Sequence, residues 1–241
     1  MYYNILFFLK EIKNYIVELS DKIKSSKKEI EIKEFKNFLS ENKKLFDKLY
    51  TEKNFRNDGL ILSTTFIHHP GYQITQMIVG KYLEKILGNK VVGMQEQSSI
   101  FLNKLFKSYG YNEIHIFKKN NILKKLKLFV RAKKILRNLE NFDNFINYEV
   151  DKVKIGKIVY EHYIRFTGHP SLNKFNLKIN YFLYKALEYH EYSKEFFKKN
   201  KIKYVLISEK QFMPSSIIFQ NALINKAKIF ARVAGPNNVG L

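Results

Sequence analysis

Two short β-branched runs, one amphipathic helix apart, set the terms for this chain. Leu60, Ile61 and Leu62 lead into Thr64 and Thr65, and Lys90 to Met94 repeats the pattern about thirty residues later. A short, continuously apolar run suits a strand covered on both faces, as in a parallel sheet. Between the runs, His68-His69-Pro70-Gly71 breaks the pattern and Ile74, Met77, Ile78, Tyr82 and Ile86 recur at helical spacing. Pro is tolerated in the first turn of a helix, and Gly88 supplies a stop. The expected unit is strand, helix, parallel strand with a right-handed crossover.

The pattern continues. Ser98 is expected to cap a helix carrying Phe101, Leu102, Leu105 and Tyr109, ended by Gly110, and Glu113 to Phe117 alternates as a third strand. Asn121 to Leu139 and Phe175 to Asn200 read as helices. Lys203 to Ser208 and Lys228 to Val233 read as strands around a helix opened by Pro214, Ser215 and Ser216. Alternating strands and helices of this kind predict an α/β domain with a doubly wound, mostly parallel, Rossmann-like sheet over residues 58–241. Residues 1–57 read as an N-terminal helical extension. Ile5, Phe8, Leu9, Ile12, Tyr15, Ile16 and Leu19 form one apolar face, and Ile32, Phe35, Phe38, Leu39, Leu45, Phe46 and Leu49 form another with a break near Ser40. The Gly/Asn-rich ending from Ala234 to Leu241 reads as a loop at a domain boundary, or a cut.

Composition narrows the partners. The chain has 241 residues, 43 Lys+Arg against 22 Asp+Glu, and a formal net charge of +21. Part of that charge is the Lys, Asn, Ile, Phe and Tyr richness typical of AT-rich coding sequence. The polarised part is local: from Lys118 to Arg137 there are nine basic residues and no acidic one. An anionic membrane surface is the partner this suggests. Nucleic acid is disfavoured, because no helix-turn-helix, aromatic RNA-binding signature or zinc module accompanies the charge. With no cysteine, disulfides and thiolate metal sites are excluded. His190-Glu191 lacks the second histidine of a zinc-protease helix, so no metal site is expected there; no cofactor is expected either. No run approaches the ~20 apolar residues that span a bilayer, and Met1 to Leu9 lacks the basic start of a secretory signal. A cytoplasmic protein, peripheral on the inner membrane, is expected.

In open α/β sheets the ligand crevice lies beyond the carboxyl ends of the strands. That rule nominates Thr65, His68, His69 and Gly71 after the first strand and Glu209 after a later one. Glu161, His162, Tyr163 and Arg165 form a second polar set, of which Tyr163 and Arg165 suit a sugar or phosphate. Arg232 lies near the end of the last strand, and Asn237 in the loop after it.

Three stretches, IHHPGYQITQMIVGKYLEKILGNKVVGM, KIGKIVYEHYIRFTG and KYVLISEKQFMPSSIIFQNALINKAKIFARV, together resemble the amino-terminal half of GT-B-type glycosyltransferases of bacterial surface and capsular polysaccharide biosynthesis. The likeness covers most of residues 59–235. It implies an acceptor-side domain, with the nucleotide-sugar, a donor substrate rather than a cofactor, bound by a second domain not among these residues and a glycan or lipid-linked sugar as acceptor. It also implies a base for the acceptor hydroxyl, His68, His69 or Glu209, and anion contacts at Arg165 and Arg232. An imidazole ordinarily titrates near neutrality, which suits the base role. The competing expectation is a non-catalytic α/β binding or assembly module that docks on an anionic membrane or partner.

Overall fold

The computed structural model describes residues 33–49, 55–67, 69–96, 98–117, 121–139, 141–168, 175–231, 233–234 and 239–240. The apolar face expected within residues 1–19 lies outside them. Five strands form one parallel sheet: β1 (Leu60–Thr64), β2 (Val91–Gln95), β3 (Ile114–Ile116), β4 (Ile202–Ile207) and β5 (Lys228–Ala231), in the order β3-β2-β1-β4-β5. Ile61 pairs with Val91 on one side and Tyr204 on the other, and Tyr204 pairs with Lys228.

The helices are α1 (Lys33–Leu49), α2 (Pro70–Leu87), α3 (Ile100–Ser108), α4 (Ile122–Asn138), α5 (Phe142–Ile146), α6 (Ile155–Thr167), α7 (Leu177–Lys199) and α8 (Ser215–Ile224). Successive strand residues point to opposite faces, and the core divides accordingly. Ile61, Val91, Tyr204 and Leu206 pack with Phe46 of α1, Met77 and Leu83 of α2, and Leu102, Leu105 and Phe106 of α3. Leu62, Val92, Val205 and Ile207 pack with the buried sides of α4, α6, α7 and α8 and with Phe145 of α5. Helices therefore cover both faces, and the fold is the doubly wound, Rossmann-like sheet that the strand and helix pattern predicts.

Local detail departs from expectation in several places, and α6 forms where no element was assigned. Helix α1 runs through Ser40 without a break and packs on α3, with the Phe46 and Tyr109 rings 4.8 Å apart and Asn42 Nδ2 donating to Ser108 Oγ at 3.0 Å. Ser99, not Ser98, caps α3, its hydroxyl accepting from the Leu102 N–H at 3.2 Å. The short helix α5 falls between two expected elements. At the end of the chain Val233–Ala234 (β6) pairs antiparallel with Val239–Gly240 (β7), where a loop was expected.

The largest departure concerns α2. Of the apolar residues that recur at helical spacing there, Ile78, Tyr82 and Ile86 are 45%, 57% and 58% exposed. The side turned inward carries Gln73, Gln76, Met77, Gly80, Lys81, Leu83 and Glu84. Its apolar residues lie on both sides of the helix, so periodicity alone could not choose between them. Gly80 decides the matter. A Cβ there would lie 2.0 Å from the Tyr111 hydroxyl oxygen, which donates to the Met77 carbonyl at 3.1 Å. Only glycine lets α2 approach the residue that leads into β3.

Candidate functional site at the carboxyl rim of the sheet

Strand β1 leaves through α2 toward β2 on one side, while its neighbour β4 leaves through α8 toward β5 on the other. The two exits diverge, and the crevice of an open α/β sheet forms at such a switch point. Its floor is polar. Gln76 Nε2 donates to the Leu206 carbonyl at 2.8 Å, and the Thr64 hydroxyl donates to the same oxygen at 3.4 Å. Helix α2 is thereby tied to β4 as well as to β1.

The β1–α2 loop forms one wall. Gln73 Nε2 donates to the Ile67 carbonyl at 3.1 Å and pins the loop to the first turn of the helix. His69 is the N-cap residue, with extended backbone, and its carbonyl accepts from the Gln73 N–H at 3.1 Å. Its side chain makes no capping bond. The imidazole instead stands exposed, edge-on to Tyr72 with centroids 5.6 Å apart. Gly71 lies directly beside it: a Cβ there would meet the ring at 3.4 Å. Pro70 has no N–H, and the next two N–H groups of a helix have no partner within it. With the macrodipole they make this end favourable to an anion.

The β4–α8 loop forms the facing wall. Glu209 Oε1 accepts from the Gln211 N–H at 3.0 Å, which fixes the carboxylate within its own loop. The Arg165 guanidinium, from the last turn of α6, lies 5.4 Å from the centre of the Phe212 ring. No hydrogen bond or ion pair joins Glu209 to His69 among the described residues.

The other nominated residues fall elsewhere. Thr65 is buried, and both its N–H and its hydroxyl donate to the Met94 carbonyl, at 3.0 and 3.3 Å. Tyr163 is 4% exposed, and its hydroxyl accepts from Asn176 Nδ2 at 3.0 Å. Both side chains serve the fold rather than an open surface. Glu161, His162, Tyr163 and Arg165 lie on α6, where successive residues turn by about 100°. Glu161 and Arg165, four apart, share one side of the helix, whereas Tyr163 turns into the core and the His162 ring packs on Phe166 and Phe182. Burial pushes the His162 imidazole down to about 4. His68, Arg232 and Asn237 lie outside the described residues. No group of three His, Cys, Asp or Glu able to hold a metal occurs among the described residues, and none of their helices is long and apolar enough to cross a membrane.

No protein-family model, curated protein or solved structure matches this chain. The fold therefore rests on strand order and packing, and the site on its own geometry.

Sequence reasoning missed the residues that build the rim. Gln73 and Gln76 sit three apart on α2, beside Met77; two amides flanking an inward apolar position were the available signal. Phe212, which carries the Arg165 stack, had none. Nor did the pair at the β2 exit, where the Tyr189 hydroxyl donates to Glu96 across 93 positions of sequence.

Proposed function

We propose that this chain is the acceptor-side domain of a GT-B-type glycosyltransferase of surface-polysaccharide assembly. The observation that carries the reading is the exposed His69 imidazole at the open N-terminus of α2, across the switch point from the loop bearing Glu209 and from Arg165. A hydroxyl of a glycan or lipid-linked sugar docks between the two exits. His69 takes its proton as the oxygen attacks the anomeric carbon of a nucleotide-sugar, and the bond from that carbon to the diphosphate breaks. Glu209, in the facing loop, is the other candidate for the base. The N–H groups at the start of α2 and the Arg165 guanidinium suit a phosphate group. The nucleotide-sugar is a substrate here, and its donor-binding domain lies outside this sequence.

Transfer measured with the full-length protein, a nucleotide-sugar and a lipid-linked acceptor tests this. His69→Ala or Glu209→Ala is expected to lower kcat about 100-fold or more, the usual worth of a general base, with the urea midpoint unchanged. Turnover unaffected in both variants removes both residues from the mechanism. Absence of any transfer across a panel of nucleotide-sugars leaves the competing reading, a non-catalytic binding module.

A further inference from the structure

Helix α4 is apolar on two sides. Leu128, Phe129, Ala132 and Leu136 are buried against the domain. Ile122, Leu123, Leu126 and Val130 are 55%, 66%, 36% and 64% exposed. At 3.6 residues per turn these four fall within about 100° of arc, a continuous stripe along the outer side. Lys127 and Lys134 border the stripe, and Arg137 continues its line beyond Val130.

The charge is not there for the helix itself. Ile122–Asn138 contains seven basic residues and no acidic one. Its first turn carries Lys124, where the macrodipole favours an acid. Lys124 and Arg131 share a single outside partner, Glu191 of α7, at 3.2 and 3.4 Å. Among the described residues no ion pair reaches Lys125, Lys127, Lys133, Lys134 or Arg137. Whatever covers the stripe must supply both an apolar phase and negative charge.

We propose that the outer side of α4 docks on an anionic lipid surface, with Leu123, Leu126 and Val130 entering the headgroup–acyl boundary and the flanking lysines and Arg137 meeting lipid phosphates. A second copy of the chain would bring the same positive charge. The first 32 residues, with six basic and five acidic side chains, bring no complement. The stripe is aliphatic and offers no ring on which bases could stack. The stripe begins at Ile122, six residues after the end of β3, so docking holds the carboxyl rim within about 20 Å of the lipid-facing helix. The inference stands on α4 alone and is independent of the glycosyl-transfer reading.

Vesicle co-sedimentation of the full chain tests it, with phosphatidylcholine alone and with added phosphatidylglycerol. Binding is expected only to the mixed vesicles and to weaken as salt rises. Lys127→Glu/Lys134→Glu is expected to lower the partition coefficient at least roughly 20-fold, since each cation near the surface is worth about fivefold. Leu123→Ser/Val130→Ser is expected to lower it about tenfold or more by losing insertion. All four side chains are exposed, and an unchanged urea midpoint confirms that each variant folds. Ile78→Ser/Tyr82→Ser, which strips an equally exposed but lysine-poor stripe from α2, is expected to leave binding unchanged. Equal binding to both vesicle types, equal loss in the α2 variant, or binding to polyglutamate but not to vesicles would overturn the assignment.

Discussion

The two faces of the sheet are closed by different means. Under α2 the contact is close and partly polar: glycine meets a tyrosine hydroxyl, two glutamines reach main-chain carbonyls, and Lys81 pairs with Glu84 where both side chains are about 5% exposed. Across the sheet, α7 is packed by aromatic rings, including Phe117 against Tyr189 at 5.2 Å and Phe129 against Tyr184 at 6.1 Å. Both faces bury polar side chains, Asn180, Glu188, His190 and Ser193 of α7 among them, but those of α2 reach main-chain carbonyls of the β1–α2 loop and of β4.

The largest test of that contrast is Lys81→Met. It strands the Glu84 carboxylate, whose pKa burial already raises and the Lys81 charge opposes. Losing one partner of a buried pair costs about 3–5 kcal/mol. The double change Lys81→Met/Glu84→Leu is expected to recover most of it. Urea unfolding measures both, and a single-variant loss below about 1 kcal/mol would mean that the pair is not desolvated.

The aromatic face predicts a different signature. His162 stays neutral when folded down to about pH 4 but takes a proton near 6.5 when unfolded. The unfolded chain therefore binds more protons between those values, and stability falls as pH drops through that window. The full shift corresponds to up to about 3 kcal/mol. His162→Phe is expected to flatten the profile between pH 4 and 6.5. An unaltered slope would assign it to other groups.

A smaller effect is expected from Gly80→Ala, about 1–3 kcal/mol from overpacking against Tyr111. Adding Tyr111→Phe should restore part of that loss, and simple additivity in the double-mutant cycle would deny the contact. Least of all is expected from Glu191→Gln, which releases Lys124 and Arg131 at partly exposed positions and costs under about 1 kcal/mol. If it costs more, α4 owes its position to charge rather than to Phe129 and Leu136.

Much of the architecture was legible because parallel strands buried on both faces announce themselves as apolar runs. Leu60 to Leu62 and Tyr204 to Ile207 are of that kind, and Gly88 marked the end of the helix between the first two strands. The orientation of α2 was not legible, since Ile78 and Met77 are equally apolar and only the distant Tyr111 requires Gly80 to face inward. At the rim, chain order was enough to place His69 and Glu209 at strand exits. It could not tell that Tyr163 turns into the core while Arg165, two residues on, reaches Phe212. That distinction depends on the register of α6 against α7, which is a property of packing.

One oxygen atom links the halves of the rim. The Leu206 carbonyl receives both Gln76 from α2 and Thr64 from β1, although it belongs to β4, the strand that leads to Glu209. Any tilt of α2 that carries the imidazole toward a guest must drag or release this shared acceptor, and with it the carboxylate's strand. The opposing lips of the crevice thus share an acceptor on top of the β1–β4 pairing, and replacing Gln76 by leucine would remove the tie from α2 while leaving that of Thr64 in place.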